Sequence, residues 1–157
     1  MSDLKDYKRE CLLLEHESLS RVVDQELFAT ALIRSLTLAS WLIAMTAAAA
    51  YEVSILVILI TVGAAGTGAW LTDVYFSYVG VVYKMRRKNV RELIDGLPDA
   101  DDATLRECKT PVNPFESLAG GEKKQALRDA LVSPWVILPY ACLDLGTALL
   151  ILRLLFV

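Results

Sequence analysis

The chain has 157 residues, of which 55% are hydrophobic and 22% charged, with a mean hydropathy of +0.43 and a formal net charge of −3. Its 19 acids are interleaved with 16 Lys and Arg, and no basic face is studded with aromatics, which argues against nucleic acid as a partner. The apolar residues are contiguous rather than interrupted at helical spacing, and no segment alternates like a barrel strand. The expectation is therefore an all-α integral membrane protein: a two-span helical hairpin with cytoplasmic helical extensions and a third C-terminal span.

Residues 1–34 are expected to form an N-terminal cytoplasmic amphipathic helix, with Ser2 as N-cap and Asp3 in its first turn. With Asp3, Asp6 and Glu10 ahead of any apolar core, this segment is not expected to be a signal peptide. Leu4, Tyr7, Cys11, Leu12, Leu19, Val22 and Val23 share one face, interrupted by Glu15 and Ser18. The acidic polar side (Asp3, Asp6, Glu10, Glu17, Asp24 and Glu26) favours packing on another helix over lying on an anionic membrane. With no Gly or Pro between Arg21 and Trp41, the helix is expected to run on into the first span. Arg34 marks the boundary, its stem along apolar surface and its guanidinium at headgroups. Trp41 is too deep for an interfacial belt and is expected to face a partner helix.

Residues 35–83 form the expected transmembrane hairpin, because Ser35–Tyr51 and Val53–Thr72 are the long uncharged runs. The turn, Ala47 to Ser54, has Glu52 as its only charge, whereas Lys84 to Arg91 carries five bases. All Lys and Arg except Arg153 fall within 1–34, 84–91 and 106–128, and the positive-inside rule puts those segments in the cytoplasm. In the second run Gly63, Ala64, Gly66 and Gly68 make a candidate helix-packing face, since small residues let backbones approach closely. Trp70, Tyr75, Phe76, Tyr78 and Tyr83 read as an aromatic belt, and Asp73 among them is expected to be solvated or to pair with the basic cluster of 84–91.

Residues 84–131 read as a cytoplasmic helical extension, an acidic loop and a short helix. Lys84, Arg86, Arg87, Lys88 and Arg91 are candidate lipid-headgroup contacts. Val90, Leu93, Ile94 and Leu97 keep a helical rhythm that ends at Gly96-Leu-Pro98. Pro111 to Gly121 reads as turns, and Glu122 to Leu131 as a helix with Ala126, Leu127, Ala130 and Leu131 inward.

Residues 132–157 are a third hydrophobic segment, long enough to span but carrying Pro134, Pro139, Asp144 and Arg153. It either spans or is re-entrant, and Pro139 is expected to kink it. Asp144, Arg34 and Arg153 are the candidate intramembrane polar site, because an acid in an apolar segment needs a reason. Asp144 serves a proton or cation path, as in a carboxylate ring, or bonds another helix through Thr, Ser, Arg34 or Arg153. Thr37, Thr46, Thr61 and Thr67 either line a polar path or bond their own helix backbone. The separated Cys11, Cys108 and Cys142 and the lone His16 show no metal spacing, and no catalytic motif is present; no cofactor, metal or enzymatic activity is expected.

Glu15-His-Glu17 with Leu19, the hairpin 35–72 and the Lys84–Leu97 extension ending in Leu-Pro together resemble small bacterial membrane proteins of the SLATT and RipA-like kinds in element order. The resemblance covers about the first two-thirds of the chain, with the third segment outside the pattern. It implies homo-oligomers, and for SLATT proteins pore-forming effectors. The expected reading is a bacterial inner-membrane homo-oligomer in contact with membrane lipids, channel-like or membrane-perturbing. The alternative is a non-catalytic scaffold that recruits a cytoplasmic protein partner.

Overall fold

A computed structural model describes residues 2–51, 54–97 and 113–156, and within them the protein is helical without strands. The helices are α1 (Ser2–Ala50), α2 (Ile55–Gly96), α3 (Pro114–Ser117), α4 (Gly120–Val132) and α5 (Pro134–Phe156). Glu52, Cys108, Pro111 and the acidic stretch after Leu97 lie outside the described residues. Three helical stretches, Leu4–Ala50, Ile55–Gly96 and Gly120–Arg153, are long and apolar enough to cross a membrane. Their composition points to a multi-pass membrane protein.

Helix ends follow local chemistry. The unbroken α1 ends where Tyr51 N–H bonds the Ala47 carbonyl at 3.0 Å, so the first four residues of the expected Ala47–Ser54 turn are its last turn. Alanines favour continuing a helix, and composition alone did not mark its end there. Ser54 accepts from Val57 and Ile58 at the start of α2. Where turns were expected, Asn113 caps α3 through its side chain, accepting from Phe115 N–H at 3.0 Å, and Pro114 occupies the first turn. Glu122 reaches back to the Ala119 N–H at 2.8 Å, half of a capping box for α4. Ser133 and Pro134 then end α4 and start α5.

The chain divides into two compact units, and α1, α2 and α4 contribute to both. Unit 1 comprises Met1–Leu27 and Tyr78–Leu127. Here Leu12 and Leu19 of α1 meet Val90 and Leu97 of α2, with Tyr83 and Ile94 against them. A second cluster joins Val82 to Leu118 and Ala126, with Tyr78, Met85 and Phe115 alongside. The face of α1 that is buried runs through Leu12, Glu15, Leu19, Val23 and Glu26, at the three- and four-residue steps of a packed helix. Tyr7, assigned by periodicity to this face, is 63% exposed. Tyr78 and Tyr83, read as belt residues, meet Phe115 in a tilted and an edge-on contact at ring separations of 6.0 and 6.2 Å. On α4, Ala126 and Ala130 are buried while Leu127 and Leu131 are exposed.

Unit 2 comprises Phe28–Ser77 and Arg128–Val157. Met45 and Ala48 of α1 pack on Ile58 of α2, with Trp41, Val62 and Leu150 around them. Contact positions fall along α2 as they rise along α1, so the two helices run antiparallel here. Val136, Tyr140, Leu143 and Thr147 form the inward stripe of α5, again at steps of four, three and four. Around this small core the surface is apolar: Leu36, Ile43, Leu56, Ile60, Leu138, Leu145 and Leu149 are exposed. In the most apolar stretches of α1 and α2 only 6% of residues are buried, a pattern suited to lipid rather than water.

Candidate functional site

Unit 2 holds a polar knot at one end of its helix contacts. Arg34 of α1 grips Asp73 of α2 in a forked pair, Nε to Oδ2 at 2.7 Å and Nη2 to Oδ1 at 3.0 Å. The Asp73 side chain is wholly buried and that of Arg34 is 26% exposed. Two parallel charge-assisted bonds of this kind fix orientation as well as adding energy. Tyr140 of α5 brings its hydroxyl beside Asp73 and Thr37 and donates to the Ala69 carbonyl at 3.2 Å. Three helices are thus joined by one cluster.

A second tie lies deeper in the apolar segment. Trp41 Nε1 donates to Thr147 Oγ1 at 2.8 Å, and Thr147 in turn donates to Leu143 O. The indole rests on Gly146, where an added Cβ would come within 2.9 Å of Cη2. Trp41 thus faces a helix of its own chain. Replacing Gly146 by Ala should cost about 1–3 kcal/mol, because a rigid ring must move. By contrast, Gly63→Ala meets nothing within 4 Å and should be neutral or gain up to about 1 kcal/mol of helix propensity. Thermal unfolding in detergent, followed by tryptophan emission, checks both; equal effects would sink the distinction.

Asp144 stands apart from these ties. It is exposed on α5 and lines a cavity of about 730 Å³ bounded by α1, α2, α5 and the end of α4. The expected bond to Arg34 or Arg153 is not made. Arg34 is committed to Asp73, and Arg153, nine residues further along α5, points to the opposite helix face at about 100° per residue. Asp73, among aromatics in the sequence, is the acid that Arg34 pairs; a pair 39 positions apart in sequence leaves no local pattern. Of the threonines, Thr37 and Thr46 bond carbonyls four residues back, while Thr61 and Thr67 join Thr37 in lining the cavity.

The small-residue face of α2 divides in two. Gly63 and Gly66 line the cavity, whereas Ala64 and Gly68 lie on nearly the opposite side of the helix and are exposed. A Cβ at Gly63, Gly66 or Gly68 would meet nothing within 4 Å, so none of the three provides the expected close helix contact within the chain. Two other glycines do: Gly146 against Trp41, and Gly80, in unit 1, where an added Cβ would overlap the Glu26 carboxylate. Each is a lone glycine without a flanking small-residue pattern, so sequence spacing could not single it out.

In unit 1 the basic cluster is not uniformly available to headgroups. Arg86 is buried against Glu15, its Nε donating to Oε1 at 2.8 Å. Its neighbours on the inward stripe, Val82 and Val90, are four residues either side, so helix period rather than charge decides its direction. Lys84, Lys88 and Arg91 are exposed and Arg87 half-buried; Lys88 lies 3.7 Å from Glu92. Among the described residues no group of three His, Cys, Asp or Glu is placed to hold a metal.

Comparison with protein-family models, curated proteins and solved structures finds no significant match. The class of protein is accordingly defined by its helices alone: all-helical, with three stretches able to cross a membrane.

Proposed function

We propose that the chain is a multi-pass protein of the bacterial inner membrane that works as a channel-like or membrane-perturbing homo-oligomer without catalytic chemistry. In this reading α1 and α2 cross the bilayer as a hairpin and α5 makes a third pass. The basic segments keep the N-terminus in the cytoplasm. The observation that carries the reading is the outward face of α2, where Ala64 and Gly68, four residues apart, are exposed with no neighbour over Gly68. Small residues at this spacing drive helix association in lipid, where apolar burial gives no advantage. A single copy has too few helices to enclose a pore, whereas a ring of copies has enough.

Native mass spectrometry in nanodiscs and dye and ion release from liposomes test this together. The wild type should form a closed ring and release the contents. Gly68→Ile should reduce the copy number and abolish release, while Gly63→Ala changes neither. A monomer, or vesicles that stay tight at every protein density, would overturn the reading.

A second reading, an accessory subunit that recruits a cytoplasmic partner, draws on exposed Leu13 and Leu14 in unit 1. Their replacement by Glu should then abolish pull-down of that partner and leave extraction from membranes unchanged.

A further inference from the structure

The cavity beside Asp144 has features that its neighbours within the fold do not satisfy. At about 730 Å³ it lies in the range of sites that enclose small organic molecules. Most of its wall is aliphatic or glycine, and Trp41, Trp70 and Tyr140 bring aromatic rings to it. Its charge is one-sided. Asp144 is the only ionisable acid or base in the lining apart from the Tyr140 phenol, and no Lys or Arg contributes. The nearby Arg34–Asp73 pair is internally neutral and adds no net charge. Asp144 itself makes no ion pair among the described residues.

We infer that this cavity is a binding site for a lipophilic organic monocation, with Asp144 as the counter-ion. A carboxylate at the edge of an apolar, aromatic-walled space is strongly favoured by a cation that needs little hydration. An anion would find no positive group there. A divalent metal would find a single carboxylate in the lining and no second one. A bulky ammonium or phosphonium ion instead has apolar arms for the Gly63–Gly66 wall and charge for Asp144. The open space over Gly66 lets the α2 backbone serve as that wall. The inference uses the inward face of α2 and does not depend on conduction or on contacts through Ala64 and Gly68.

The test is equilibrium binding of radiolabelled tetraphenylphosphonium to the full chain in detergent micelles, beside tetraphenylborate, an anion of the same shape. Saturable binding of the cation, one per chain, with much weaker binding of the anion, is expected. Asp144→Asn should weaken cation binding by about tenfold or more, since it removes the charge and leaves the shape. Gly66→Leu should block both ions by filling the cavity, and elution volume reports that each variant remains folded. Equal binding of the two ions, or wild-type affinity in Asp144→Asn, overturns the proposal. Native mass spectra of the same samples separate the two readings. A ring that binds no cation retains the oligomer and refutes the site, and a monomer that binds it does the reverse. If cation binding is absent and both variants change copy number, the cavity is an interface between copies.

Discussion

Removing either partner of the Glu15–Arg86 pair is expected to destabilise unit 1 by about 3–5 kcal/mol, more than any surface change nearby. Both side chains are nearly dry, at 5% and 8% exposure. Glu15 Oε1 receives the Arg86 Nε at 2.8 Å with Nη2 2.7 Å away, while Oε2 has no hydrogen-bond partner among the described residues. A pair so placed has already lost its hydration, and the unshared oxygen means that the return is incomplete. Glu15→Ala strands a buried guanidinium, and Arg86→Ala strands a buried carboxylate. The double change Glu15→Leu with Arg86→Met should be close to neutral or better, because the flanking Leu12, Leu19, Val82 and Val90 are already apolar. Chemical denaturation of the four proteins, monitored by helical circular dichroism, ranks them. If the double variant is as damaged as the worse single one, the pair contributes specific structure beyond charge neutralisation, and this account of it fails.

The long α-helices were legible in the sequence because helix continuity is local, while periodicity placed Leu12 and Leu19 on the buried face correctly and Tyr7 wrongly. Uninterrupted residues between Arg21 and Trp41 gave one continuous helix, and the Val90–Leu97 rhythm gave its partner. What stayed hidden depends on which helices meet. Lys84, Arg86, Arg87, Lys88 and Arg91 are equivalent as a charge run, yet only Arg86 shares the inward stripe with Val82 and Val90. Asp144 drew notice as an isolated acid in an apolar segment. The ionic tie among the described residues of unit 2, however, uses Asp73, which stands in sequence among the aromatic residues Trp70, Tyr75 and Phe76. Glycine tells the same story. The dense stretch around Gly66 stands open, and the isolated Gly80 and Gly146 are where side chains press in. Small residues announce that a close approach is allowed; only the partner's position decides where it is used.

The Arg34–Asp73 clamp should show an asymmetry that the Glu15–Arg86 pair does not. Both sit in a setting where removal of one charge leaves the other uncompensated, but their access to solvent differs: Asp73 is fully buried and the Arg34 side chain is 26% exposed. After Asp73→Asn the arginine keeps a long flexible stem by which its guanidinium can swing towards the polar boundary. After Arg34→Ala the carboxylate is left on a short, wholly buried side chain that cannot reach the polar boundary. Arg34→Ala is therefore expected to cost about 3–5 kcal/mol and Asp73→Asn roughly half as much. The double Arg34→Leu, Asp73→Leu variant should recover most of the loss, since Tyr140 still bonds the Ala69 carbonyl. Titration of folded protein in mixed micelles with a denaturing detergent, read by tryptophan emission, ranks the three. Equal losses for the two single variants would mean that the guanidinium is as trapped as the carboxylate. A larger loss for Asp73→Asn would mean that the pair is held together chiefly to keep Arg34 out of the apolar segment.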